Sequence, residues 1–160
     1  MNPAHDTPFQ HRLAVTAAGI AFQNPIILAA GTAAYGREIA QVIRLDALGG
    51  LVTKAVSKEP RAGAPAPRVA DFGAGMINAV GLANPGAEAV LREELPWLAR
   101  ELQAARVIVN VVGRVVEDFA DVVRMLDGAD GFQVYELNVS CPNTRQGGLE
   151  FGADPGALTT

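Results

Sequence analysis

Short apolar runs, each closed by a glycine or a polar cluster, set the rhythm of this chain. Leu13 to Thr16 and Ile20 to Phe22, split by Ala17-Ala18-Gly19, read as a small hairpin. Ile26 to Ala29 is a continuous apolar run ending at Gly31, the pattern of a strand buried on both faces. Leu51 to Lys54, Val107 to Val112 and Phe132 to Asn138 are the next three strands. Between them the spacing turns helical. Glu38 to Leu48 carries Ile39, Val42, Ile43 and Leu45 on one side and stops at Gly49-Gly50. Gly86 to Gln103 is predicted helical, with Pro96 tolerated as the start of a second helix, and Val116 to Leu126 is the third helix. The stretch from Ser57 to about Ala83, rich in Pro and Gly, reads as a long polar loop; compact domains keep loops of that length for function or leave them disordered.

With residues 1–12 read as a flexible arm, the order is hairpin, then β-α-β-α-β-α-β. Strands alternating with helices demand parallel pairing and right-handed crossovers. Both an open doubly wound sheet and part of a (β/α)8 barrel satisfy that order. Gly73-Ala74-Gly75-Met76-Ile77-Asn78 lacks the last glycine of G-x-G-x-x-G and follows no predicted strand, and no G-x-x-x-x-G-K-[ST] occurs. The barrel gains accordingly. Four βα units in about 130 residues make half of a barrel of about 250. Asp154-Pro155 has the form of a cap and first turn for a fourth helix, where the chain stops. The expectation is an α/β fold in which residues 13–160 form the N-terminal half of a (β/α)8 TIM barrel, and the chain is a piece of a longer protein.

Composition narrows the partners. The 160 residues are 49% hydrophobic and 19% charged, enough apolar matter for a packed core. A net charge of −4 argues against nucleic acid or an anionic membrane as partner, since either needs a basic face. The single cysteine excludes an intramolecular disulfide framework and fits a reducing compartment. His5 and His11 lie in the polar N-terminal stretch with no cysteine near them, so no metal site is expected. No signal-like segment opens the chain, and no apolar run approaches the ~20 residues of a membrane span. A cytoplasmic location is the expectation.

In either architecture ligands sit at the carboxyl ends of the strands, and the polar residues fall there. The first strand ends in Ala29-Ala30-Gly31-Thr32, the second in Lys54; the third contains Asn110 and the fourth ends in Asn138. Just beyond that end stands Cys141, flanked by Asn138 and Asn143 and held by Pro142. A lone cysteine is more often a small buried hydrophobe. Past a strand end, near amide donors and Lys54, its thiolate becomes a usable general base. No histidine falls in this region, so a Cys-His dyad has no support.

At this point the residues resemble a known family. Asn24 to Gly31, Thr53-Lys54-Ala55, Pro60-Arg61, Pro67-Arg68, Gly75 to Gly86 and Glu136 to Asn143 look like the class 1 dihydroorotate dehydrogenases, in order and over nearly all of the chain from residue 13. The wording from Met76 to Gly86 is more similar to the NAD-linked class 1B branch than to the fumarate-linked 1A branch. The resemblance implies a barrel with FMN at its C-terminal rim, oxidising (S)-dihydroorotate to orotate in de novo pyrimidine (UMP) biosynthesis. It makes Cys141 the base that removes the C5 proton while hydride passes from C6 to flavin N5. Ala30, Gly31, Lys54, Ala55, Asn110 and Asn138 would hold the isoalloxazine. Lys54, Asn78, Ala79, Val80, Gly81, Leu82, Asn84, Asn138 and Asn143 would line the orotate pocket, amides supplying the donors and acceptors that a pyrimidinedione edge requires. The positive charge of Lys54 suits the anion of a reduced flavin.

The resemblance also implies a partner subunit carrying FAD and an iron–sulfur cluster, and a homodimer or heterotetramer. One cysteine cannot ligate such a cluster in this chain. Ala30 departs from the hydroxyl residue common before that glycine. The family's second lysine and its glycine-rich phosphate loops are absent, so these 160 residues alone are expected to bind FMN weakly or not at all. A reductase resembling the barrel of dihydropyrimidine dehydrogenase shares the Asn-x-Ser-Cys-Pro pattern and is the alternative within the same chemistry. A non-catalytic barrel fragment is the alternative outside it.

Overall fold

The computed structural model describes residues 13–139 and 155–159. Along the chain, β1 (Val15–Ala17) and β2 (Ile20–Phe22) form the antiparallel hairpin read from the sequence. β3 (Ile27–Leu28) and β4 (Gly50–Val52) follow, then a second hairpin of β5 (Val69–Asp71) and β6 (Met76–Asn78). A helical stretch runs through α1 (Ala87–Ala89), a π-helical segment Val90–Glu94, and α2 (Leu95–Glu101). β7 (Arg106–Val111), α3 (Val116–Leu126), β8 (Val134–Leu137) and the short α4 (Pro155–Leu158) complete the described elements.

The main sheet has the order β3-β4-β7-β8, every neighbour pair parallel. Strand order therefore follows chain order without reversal. A doubly wound sheet reverses at its switch point, whereas a barrel wall simply continues. The alternation along β7 shows why both faces matter. Val107, Val109 and Val111 are 0–1% exposed and pack with Leu51, Val90, Leu95, Leu98, Val122 and Leu126 into one core. Ile108 and Asn110 point to the opposite face, as the period of two requires. Burying a leucine or valine this fully is worth about 1.5–3 kcal/mol each, which is what fastens the helices to the sheet.

Pro96 falls at the start of α2, where its missing N–H costs least. The π-helical segment immediately before it widens the spiral, the usual relief where a regular turn cannot close. α3 starts on a carboxylate: Asp118 Oδ2 accepts the backbone N–H groups of Arg114 at 2.7 Å and Val115 at 3.3 Å.

Three expectations are corrected. The first strand of the sheet, expected to be buried on both faces, is two residues long at the sheet's edge, with Ile26 57% and Ile27 38% exposed. The helix expected over Glu38 to Leu48 is two 3-10 turns, Ile39–Gln41 and Leu45–Ala47, with Arg44 extended between them. Asp46 is the cause. Its Oδ1 accepts the N–H groups of Ala104 at 2.7 Å and Ala105 at 2.9 Å, while its carbonyl accepts from Gln23 Nε2 at 2.7 Å. These bonds to distant chain hold the segment away from a regular spiral, leaving Val42 75% exposed.

The long loop expected over Ser57 to Ala83 is instead a folded excursion. Its two arms meet at the Arg61↔Asn84 bridge, again where Ala64 N–H donates to Val80 O at 3.0 Å, and finally as β5 and β6. Arg68 braces the inside, donating to Ala62 O at 2.8 Å and Ala64 O at 2.7 Å. Strands of three residues with both faces exposed give the sequence no alternation to display.

Candidate active site

The carboxyl ends of β4 and β7 meet in an irregular step. Val52 pairs with Ile108 and Val56 bridges Val111, so the β4 side carries one residue more than the β7 side. This is a bulge, a device that re-aims a side chain next to a site. Thr53, fully buried, fills the missing rung: its Oγ1 accepts the Asn110 N–H at 3.2 Å and donates to the Lys54 carbonyl at 3.0 Å. The Lys54 N–H donates to Ala34 O at 2.8 Å, tying the bulge to the loop after β3. Val56 N–H completes the rung on Asn110 O at 2.8 Å. Lys54 is half-buried, Ala55 buried, and no carboxylate among the described residues pairs with the Lys54 ammonium.

Asn110 is 2% exposed. Its Nδ2 donates to Glu136 Oε1 on β8, its direct partner in the strand register. Its Oδ1 is buried and has no hydrogen-bond partner among the described residues. Asn138 follows on the same strand, half-buried, its N–H donating to Val111 O at 2.8 Å. Ala30 and Gly31 are exposed in the turn after β3, which Thr32 closes with N–H and hydroxyl donations to Ala29 O at 3.2 and 2.6 Å. Lys54, Asn110 and Asn138 thus stand at one edge of the sheet. Glu136 was not among the residues singled out, although lying two residues before Asn138 on a strand places it on the same face.

The remaining candidates lie on the excursion. Asn78 and Ala79 are exposed; Val80, Gly81 and Leu82 are half-buried. No hydrogen bond joins Asn78–Leu82 to Lys54 or Asn110 among the described residues. Gly81 (φ 71°) and Leu82 (φ 57°) are both left-handed, a conformation rare for a branched side chain.

Asn84, which the resemblance places in the substrate pocket, is bonded to the protein at both ends of its amide. It is 8% exposed, and Ser57 N–H and Gly86 N–H donate to its Oδ1 at 3.2 and 2.9 Å. Its Nδ2 donates to Ser57 Oγ at 2.9 Å and Leu82 O at 2.8 Å, and the Ser57 hydroxyl proton goes to Glu59 O at 2.7 Å. An amide offers two donors and two good acceptor directions. All are spent on the protein, pinning the root of the excursion and the left-handed Leu82. Cys141 and Asn143 lie outside the described residues, as do His5 and His11.

Beside that root is a polar crevice of about 250 Å³ lined by Ser57, Lys58, Glu59, Pro60, Arg61, Arg114 and Asp118. It falls short of the ~300–1,000 Å³ of a small-molecule pocket. At its border Lys58 Nζ donates to Asp121 Oδ2 at 2.8 Å. That hydrogen bond and its charge hold the Asp121 carboxyl below the usual range and push the Lys58 ammonium above its own. Among the described residues no cluster of His, Cys, Asp or Glu fits a metal ion, and no helix is long and apolar enough to cross a membrane.

A parallel sheet in chain order, with small and polar residues gathered at its carboxyl edge, fits an α/β enzyme of the TIM-barrel kind. The family profile described as dihydroorotate dehydrogenase matches residues 12–159, and the chain belongs to that family. It is 46% identical over 148 residues to "Dihydroorotate dehydrogenase A (fumarate)" of Lactiplantibacillus plantarum, covering 92% of this chain and 48% of the relative. To "Dihydroorotate dehydrogenase B (NAD(+)), catalytic subunit" of Geobacillus sp. WCH70 it is 46% identical over 145 residues, covering 91% and 46%. The chain spans about half the length of these relatives. A crystal structure of DHODH from Eimeria tenella, in complex with ferulenol, superposes with a TM-score of 0.65 at 21% identity, over 84% of this chain and 38% of that one. At that identity the likeness concerns the fold.

Proposed function

We propose that this chain supplies the first half of the catalytic barrel of an FMN-dependent dihydroorotate dehydrogenase, which oxidises (S)-dihydroorotate to orotate in pyrimidine biosynthesis. The observation that carries the reading is the edge formed by Lys54, Asn110 and Asn138, where a buried amide oxygen still lacks a donor. Buried acceptors left unpaired cost about 1–3 kcal/mol. A ring system with an N–H at that edge would remove the cost, so the residues present fit a flavin. FMN, when bound, supplies the acceptor for the hydride leaving the substrate.

The chain's own residues do the rest. The Thr53 bulge fixes the Lys54 backbone at the sheet edge, which sets where its ammonium can reach, and a positive charge there suits the anion of a reduced flavin. Asn110, with Ala30, Gly31, Ala55 and Asn138, orients the ring. Asn78 to Leu82 and Asn143 line the substrate side, and Cys141 takes the C5 proton as thiolate. Asn84 acts on that pocket through the backbone it pins.

Similarity at 46% to relatives named for both fumarate and NAD leaves the acceptor to the Met76–Gly86 wording, which favours the NAD-linked branch. A partner bearing FAD and an iron–sulfur cluster, and a homodimer or heterotetramer, follow from that reading. The test is to purify the full-length protein, record its flavin absorbance, and assay dihydroorotate against dihydrouracil. A yellow protein that oxidises only dihydroorotate supports the proposal. Turnover of dihydrouracil alone transfers it to the dihydropyrimidine dehydrogenase type, and a colourless preparation to a non-catalytic fragment.

A further inference from the structure

We infer that Glu136 is a positioning residue that locks the amide of Asn110, and that the lock gives this edge its preference for a ring carrying an imide N–H. The inference rests on the flavin reading above. A side-chain amide can turn about its last bond and present either end. The Glu136 carboxylate can only accept, so the amide must turn Nδ2 toward it, as observed. Oδ1 is thereby committed to the other side, as an acceptor in a site sealed from water.

The strand register makes the pairing structural, because Asn110 and Glu136 are direct partners across β7 and β8. The backbone of Asn110 is held from the other flank by Thr53 Oγ1 and by Val56 N–H. With the backbone fixed, the side-chain torsions remain, and the bond to Glu136 sets which end of the amide faces which way. The oxidised isoalloxazine offers one ring N–H, at N3, between two carbonyls. A pyrimidinedione carries the same imide. The cofactor is assigned because the acceptor belongs to Asn110, within the strand, rather than to the excursion.

The test measures FMN and N3-methyl-FMN binding to the full-length apoprotein by flavin fluorescence, for wild type, Glu136→Gln and Glu136→Ala. Glu136→Gln conserves the volume of the side chain, so that change empties no core. Wild type is expected to prefer FMN about tenfold or more. In Glu136→Ala FMN affinity should fall and the preference shrink to within about threefold, because an amide free to turn no longer presents Oδ1 to the N3–H in advance of binding. Glu136→Gln should be intermediate, since two amides pair in either sense. Wild type binding both flavins alike, or Glu136→Ala keeping the full preference, overturns the assignment while leaving the flavin reading intact. A second arm compares orotate with 3-methylorotate on the FMN-loaded protein; loss of discrimination there, with none between the flavins, moves the acceptor to the substrate and also overturns it. Wild type binding neither flavin overturns the flavin reading itself.

Discussion

Replacing Asn84 by alanine separates two roles that the sequence could not. If the amide is a substrate ligand, its removal weakens binding and leaves the fold alone. The structure argues the reverse. Truncation strands the N–H groups of Ser57 and Gly86, both buried, together with the carbonyl of Leu82. Each buried orphan costs about 1–3 kcal/mol, and water entering the small gap recovers part of that. A net loss of about 2–4 kcal/mol follows, a large share of the stability of an ordinary domain. Asn84→Asp is the informative companion, because a carboxylate keeps both accepted bonds and loses both donated ones. It should fall between wild type and alanine at a pH low enough to keep the carboxyl neutral. Urea titration gives the loss from the midpoint, and hydrogen exchange at Gly86 shows whether the root opens locally before the sheet does. An unchanged midpoint for Asn84→Ala, with KM raised, would refute the reasoning and return Asn84 to the substrate pocket.

Cys141→Ala should lower dihydroorotate oxidation by roughly 10²–10⁴-fold with flavin still bound; turnover near the wild-type rate would remove the thiol from its role as base. Gly81→Ala places a Cβ 2.8 Å from the Ala64 nitrogen on backbone at φ 71°. It should cost about 1–3 kcal/mol in the urea midpoint, and a neutral result would mean that the two arms of the excursion are free to part. Lys58→Met tests the ion pair through pH. Because Lys58 lowers the Asp121 carboxyl in the folded protein, the pair's contribution is fully present above the ordinary value of 3.8 and is lost as pH falls through the lowered folded value. Thermal midpoints of wild type and variant should therefore converge in strong acid, and a gap that persists unchanged at about pH 2 would contradict the linkage.

Where apolar positions face the core, the fold could be read directly. Val107 to Val112 and Val116 to Leu126 are found as β7 and α3 to within a residue, because their apolar positions face the same core and nothing competes for their backbone. Parallel pairing followed from the alternation of elements. Reading failed where one side chain outbid the local pattern. Ile39, Val42, Ile43 and Leu45 have helical spacing, yet a single aspartate two residues from the end binds a distant turn and breaks the helix. Periodicity weighs every residue in a window alike, and a long-range hydrogen bond does not. The excursion escaped for a different reason: its pairings join residues far apart through backbone groups, which carry no signature in residue type.

The site was legible to the same uneven degree, and the bulge at Thr53 explains why. A lysine at the end of an apolar run is visible in any sequence, as is an asparagine in the middle of one. What makes them neighbours is one additional residue on the β4 side, accommodated because a threonine hydroxyl can replace a backbone carbonyl as acceptor. Read as an ordinary strand residue, Thr53 is merely β-branched and buried. Read against the register, it joins the Asn110 backbone to Lys54, so Thr53→Val should disturb both ends of the candidate site while conserving volume. Valine cannot accept the Asn110 N–H, and that buried donor would be left alone at a cost of about 1–3 kcal/mol. The consequence is specific: stability and flavin affinity should fall together in Thr53→Val and recover together in Thr53→Ser, whose hydroxyl restores the acceptor. Loss of stability without loss of flavin would confine Thr53 to the sheet and dissolve the proposed link between the bulge and the ligand.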